Sequence, residues 1–225
     1  MDFFAAHYRQ QGENSPSLLL QQYQYRHTQL FFGCMCLGNG KGGRAGGYMS
    51  ERLLAWFRGL DLRKLLRNRE HKMDMLSEML TGVVGDTDKE LLDGGLEEGK
   101  VGLAGILCVE DSYLLLRRGR TAICLINTGF GRTCLRRLLE GGEEGALEKG
   151  QGSLQPHIGL LFAVESFLSH ITEPVIREGL SVSETNTERR AERHLTELAG
   201  EAQRRGAENM GAILLRTVPW GEAGR

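Results

Sequence analysis

The sequence predicts an α+β fold in which two antiparallel sheets pack face to face with helices outside them. Three observations carry this. Apolar β-prone runs and amphipathic helical stretches occur in separate blocks along the chain, where a parallel sheet would need them to alternate one by one. The strand-like runs are joined by very short connections, as antiparallel hairpins require. Each long helix has a single apolar stripe, so each needs a sheet face to cover.

The first block holds "SLLLQQYQY" (17–25) and "TQLFFGCMC" (28–36), which flank Arg26-His27 and predict a hairpin. A glycine-dense turn follows at 38–47. Beyond it Ala45, Met49, Leu53, Trp56 and Phe57 recur at helical spacing. A second helix is predicted over 60–82, with Leu62, Leu65, Leu66, Met73, Leu76, Met79 and Leu80 on one stripe. "GDTDKELLDGG" (85–95) has the acids of a calcium loop. With Asp86 as its first position, however, the sharp-turn glycine is replaced by Leu91, and the stretch reads as a solvated acidic loop.

The middle block, "GLAGILCV" (102–109), "SYLLLRR" (112–118), "TAICLINT" (121–128) and "RTCLRRLL" (132–139), reads as an antiparallel meander. Its turns are Glu110-Asp111 and Arg118-Gly119-Arg120. A flexible connection is expected at 141–152, and "IGLLFAV" (158–164) is a further strand. Thr172-Glu173-Pro174 starts a short helix, with proline in the first turn. Thr185 and Glu188 have the spacing of a capping box for the next. Ala191, Leu195, Leu198, Ala199 and Ala202 form its buried stripe, and Gly206 suits its C-terminal cap. "GAILLRTV" (211–218) closes as a strand. Residues 1–218 are therefore expected to form one domain, with 219–225 a flexible tail.

Composition narrows the function. The 225 residues are 40% hydrophobic and 25% charged, with a net charge of −1, which gives no electrostatic reason to expect nucleic acid or an acidic membrane as a partner. The basic pairs Arg117-Arg118, Arg136-Arg137 and Arg189-Arg190 read as solvated faces. No apolar run approaches the ~20 residues of a membrane span. "MDFFAAHYRQ" lacks the basic start of a signal peptide, so a cytoplasmic protein is expected. The five cysteines, Cys34, Cys36, Cys108, Cys124 and Cys134, read as core filling: their number is odd, and Cys34 and Cys36 lack a second ligand pair. The glycine turn fails as a phosphate loop because Lys41 is followed by Gly42.

Five short stretches carry a family resemblance through their joint order. They are "RQQGEN" (9–14), "LGNGKGG" (37–43), "GFGR" (129–132), "VES" (164–166) and "ENMG" (208–211). In order and spacing they resemble the signature of the PP2C (PPM) metal-dependent protein Ser/Thr phosphatases. In that signature R-x-x-N-E-D, D-G-x-G-G, G-D-S-R, S/T-D-G and D-N-x-T occupy these places. The resemblance runs from about Arg9 to Val218 and implies a four-layer α/β/β/α sandwich. It also implies two Mg²⁺ or Mn²⁺ ions that activate a bridging water for attack on phosphorus.

Carried over residue by residue, the resemblance makes Arg9 a phosphate-binding candidate. Glu13, Glu165 and Glu208 become candidate metal ligands, together with Gly38 through its carbonyl, and Asn209 a supporting residue. It also shows losses. Asn14, Leu37 and Phe130 stand where the family has aspartate, and Leu37 takes the position that bridges both ions. Leucine offers no lone pair to a hard cation. Glutamate at 165 and 208 keeps the charge but adds a methylene, and shifts of ~1 Å matter to catalysis.

Two functions follow from the resemblance. One is a degenerate, catalytically weak or inactive pseudophosphatase that needs no cofactor and acts by binding a protein partner, a phosphoprotein if Arg9 still grips phosphate. The other is a divergent Ser/Thr phosphatase in which Glu13, Glu165 and Glu208 hold Mg²⁺ or Mn²⁺. A third reading is an interaction module that ignores the old site.

Overall fold

The computed structural model describes residues 2–25, 28–38, 44–67, 72–95, 101–129, 132–139 and 145–218. The expected hairpin turn at Arg26-His27, residues 39–43 of the glycine turn, Phe130 and the tail 219–225 lie outside these residues.

Two five-stranded antiparallel sheets form the centre. Sheet I has the order β1 (Asp2–Arg9), β10 (Gly211–Val218), β9 (Ile158–Val164), β6 (Thr121–Gly129), β7 (Arg132–Leu138). Sheet II has the order β2 (Ser17–Tyr25), β3 (Thr28–Leu37), β4 (Gly102–Val109), β5 (Ser112–Arg118), β8 (Glu148–Ser153). Helices α1 (Arg44–Arg58), α2 (Leu62–Arg67) and α3 (Lys72–Asp93) belong to sheet II. Helices α4 (Glu165–Ser169), α5 (Glu173–Gly179) and α6 (Glu188–Arg204) belong to sheet I.

The period of two along each strand sorts its residues between layers. In β3, Leu30, Phe32, Cys34 and Cys36 face the α1–α3 layer, while Phe31, Met35 and Leu37 face sheet I. In β10, Ala212 and Leu214 face α4–α6, while Ile213 and Leu215 face sheet II. Both faces of these strands are buried, which is why they read as continuous apolar runs. The predicted two-sheet sandwich with helices on both sides is the observed architecture.

Several local expectations are corrected. The N-terminal stretch is a full strand, with all eight residues of β1 in register with β10. The middle block is not one meander: β4–β5 is a hairpin of sheet II and β6–β7 a hairpin of sheet I, so the chain changes sheets at Gly119. Glu110 and Gly119 take left-handed φ values of 57° and 68° in the two turns. The expected loop at 85–95 is largely helix, because Val84, Thr87 and Leu91 continue the buried stripe of α3. Met79, placed on that stripe from sequence, is exposed. The connection at 141–152 contains most of β8, which pairs with β5.

The cap of α6 is Thr187, whose side chain accepts from the Arg190 N–H, and not Thr185. Thr185 is buried and takes another role. Its hydroxyl accepts a 2.5 Å hydrogen bond from Arg216 Nη2, which also donates to the Leu180 carbonyl at 2.6 Å. Burial lowers the pKa of this guanidinium to about 10.

The cysteines are free thiols, four buried and Cys134 exposed. Cys34 and Cys36 share a face with their sulfurs 3.7 Å apart. Burial raises the Cys34 pKa, helped by the hydrogen bond to Cys36, and burial alone raises that of Cys108. Cys34 and Cys108 therefore stay neutral at physiological pH and behave as small apolar groups.

Candidate functional site at one end of the sheets

Four of the five stretches singled out from sequence meet at one end of the sandwich. The fifth (129–132) does not, because β6 runs away from this end and Gly129 pairs with Arg132 at the opposite end of sheet I, beyond the pairing of Asn127 with Ile158. At the end where the four meet, β1, β3 and β9 stop while β10, β4 and β6 begin: Arg9 pairs with Gly211, Leu37 with Gly102, and Val164 with Thr121. Two contacts join the sheets at this end. A Cβ built on Gly211 would lie 2.4 Å from Pro16 Cγ and 3.1 Å from Met35 Sδ, so the loop carrying Glu13 and Asn14 crosses the head of β10. The Thr121 hydroxyl donates to the Leu103 carbonyl at 2.6 Å. Within sheet I, the Glu165 N–H donates to the Arg120 carbonyl at 3.0 Å and extends the β9–β6 ladder by one residue.

Glycine is needed where α1 meets this end. A Cβ on Gly46 would sit 2.9 Å from both the Cys36 carbonyl oxygen and the Gly38 nitrogen. The bare backbone lets the first turn of α1 rest on the end of β3, which fixes Leu37 and Gly38.

Arg9 is exposed at the last position of β1, and its guanidinium has no partner among the described residues. Gln10 ties the strand end down: its N–H donates to the Met210 carbonyl at 2.9 Å, and the Met210 N–H donates to its Oε1 at 3.0 Å. Glu13 and Glu208 are exposed. The Glu208 carbonyl accepts from the Ser166 hydroxyl at 2.7 Å, which locks the 208–210 turn to α4. Asn209 takes a left-handed φ of 54° in that turn, a conformation asparagine tolerates better than most residues.

Leu37 and Glu165 point to different layers. Leu37 is 9% exposed and belongs to the core between the sheets, with Phe31 and Met35 of its own strand and Val164 of β9. Glu165 opens α4 and forms a 2.9 Å ion pair with Arg137 Nη1. Arg137 stands opposite Cys124, whose side chain faces the α4–α6 layer, so the carboxylate is drawn toward the outer face of sheet I. Among the described residues, no group of three or more His, Cys, Asp or Glu side chains is placed to hold a metal ion.

Of the basic pairs read as solvated faces, Arg189-Arg190 and Arg136 are exposed as expected, whereas Arg117, Arg118 and Arg137 hold specific acidic partners. Arg118 is 2% exposed and forms a two-pronged pair with Asp88 of α3 at 2.5 and 2.9 Å, while its Nε donates to the Val101 carbonyl at 2.8 Å. Arg117 pairs with Glu148 of β8. These pairs join residues 28 to 31 apart in sequence, so no local periodicity could reveal them.

No family model and no curated protein matches the chain. Solved structures do. A bacterial serine phosphatase superposes with a TM-score of 0.70 at 13% identity, covering 97% of this chain and 98% of that one. The PPM Ser-Thr phosphatase MsPP from Mycobacterium smegmatis gives 0.64 at 15% identity over 96% and 98% of the two chains. PppA, a key regulatory component of T6SS in Pseudomonas aeruginosa, gives 0.62 at 15% identity over 95% and 97%. The chain has the PP2C (PPM-type) phosphatase fold. Near-complete coverage in both directions means that the PP2C framework is present from its first strand to its last, with no large insertion or deletion.

Proposed function

We propose that this protein is a pseudophosphatase: a PP2C-fold domain, spanning residues 1–218, that binds a protein partner and does not turn over phosphomonoesters. The observation that carries the reading is Leu37. An apolar side chain packed between the sheets takes the place where the PP2C resemblance calls for a bridging carboxylate. Two divalent ions there would bring roughly four positive charges against hydrocarbon, which is unfavourable without paired anions. The second support is Glu165, whose carboxylate is engaged by Arg137. The donor set does not fit a binuclear metal centre.

Protein binding is supported by what remains open. Arg9 presents a guanidinium suited to two-pronged recognition of a phosphate, beside exposed Glu13 and Glu208. We infer a phosphoprotein partner on that basis. Five free thiols suit a reducing compartment such as the cytoplasm, and no helix among the described residues is long and apolar enough to cross a membrane.

The test is a phosphate-release assay on phosphoserine and phosphothreonine peptides in millimolar Mn²⁺. Release at the background rate is expected, unchanged in Glu165→Ala and Glu208→Ala. Mn²⁺-dependent turnover abolished by either substitution would establish the divergent phosphatase in its place.

A further inference from the structure

Arg137 and Glu165 come from separately anchored parts of the fold. Arg137 lies on β7 in register with Cys124 of β6, which in turn pairs with Leu161 of β9. Glu165 follows β9 directly, and its N–H is fixed to the Arg120 carbonyl. The two side chains are 42% and 30% exposed, so the guanidinium reaches the carboxylate at the surface end of the site. Sheet pairing fixes the backbone positions from which the two side chains approach.

We propose that Arg137 is the resident cation of this site: its guanidinium satisfies Glu165 in place of a divalent ion and repels one that approaches. The inference rests on the pseudophosphatase reading and adds the device that keeps the site metal-free. A guanidinium competes for the carboxylate oxygen directly. It also sets a positive charge a few ångströms from any ion seated there, a repulsion that water screens only in part. A lysine at 137 keeps this charge, whereas methionine keeps only the aliphatic stem.

Mn²⁺ affinity, read from the loss of the free-ion EPR signal, tests this in the full chain. Arg137→Met should bind Mn²⁺ about tenfold more tightly than the wild type, from relief of that competition and repulsion. Arg137→Lys should stay at the wild-type level, and Glu165→Gln added to Arg137→Met should remove the gain. Equal affinity in wild type and Arg137→Met, or a gain that survives Glu165→Gln, would overturn the proposal. A second readout needs no variant: the Arg137 Nε–H resonance of the wild-type protein should escape paramagnetic broadening by millimolar Mn²⁺, and selective broadening would count against it. Hydrolysis by the wild type would defeat the pseudophosphatase reading, while the Mn²⁺ affinities bear on Arg137 itself, so the two failures are distinguishable.

Discussion

Asp88→Ala will lower the stability of this protein by about 3 kcal/mol, on the order of 10 °C in Tm. The reason is the state in which it leaves Arg118. That guanidinium is 2% exposed and sits where β5 ends and the chain crosses from sheet II to sheet I. Removing Asp88 strips both of its charge-assisted bonds and leaves a buried cation with only the Val101 carbonyl. Breaking one side of a buried pair costs about 3–5 kcal/mol, and the 15% exposure of Asp88 places this case at the low end. Replacing both partners, as Asp88→Leu with Arg118→Met, should recover most of the loss, because the desolvated charge is then absent. Urea unfolding of the two variants checks this. A single variant within about 0.5 kcal/mol of wild type would show that the pair does not hold α3 to the sheet.

Leu37→Asp is expected to cost about 3–4 kcal/mol and to restore neither Mn²⁺ binding nor hydrolysis. On the PP2C resemblance this change puts back the missing ligand. In this structure it places a carboxylate in the apolar layer shared with Phe31, Met35 and Val164. Burial of the leucine contributes about 2–3 kcal/mol, and the buried charge adds the rest. Leu37→Met, which conserves volume, should cost less than about 1.5 kcal/mol. Thermal melts with and without millimolar Mn²⁺ separate the readings. Strong stabilisation of Leu37→Asp by Mn²⁺ would mean that a metal site survives apart from one side chain.

Much of the architecture was legible because both faces of the central strands are buried. Runs such as 102–109 and 211–218 are apolar throughout and bounded by turn residues, so their existence and order could be read directly. Strand β1 escaped because only Phe3 and Ala6 of its eight residues are fully buried, and its strand state depends on pairing with β10 two hundred residues away. The end of α3 escaped because Gly85, Asp86 and Asp88 resemble loop composition, while Val84 and Leu91 carry the helix onward. Thr185 was misread as a cap because a threonine beside a helix start looks the same whether it caps or holds a buried arginine.

The site was legible only in outline. Four of the five stretches lie at one end of the molecule, whereas Gly129 and Arg132 close a hairpin at the other, because order along the chain does not say which way a strand runs. Leu37 stood out as the wrong chemistry for a metal bridge. Where the carboxylates point was not legible. The engagement of Glu165 by Arg137 follows from the β7–β6–β9 pairing, a long-range feature that neither spacing nor composition encodes.

The most direct test is a crystal of the wild-type protein soaked in millimolar Mn²⁺, with data collected at the manganese absorption edge. The account predicts no pair of anomalous peaks beside Leu37, with the Arg137–Glu165 contact intact. Two ordered peaks bridged by a carboxylate near residue 37 would contradict it.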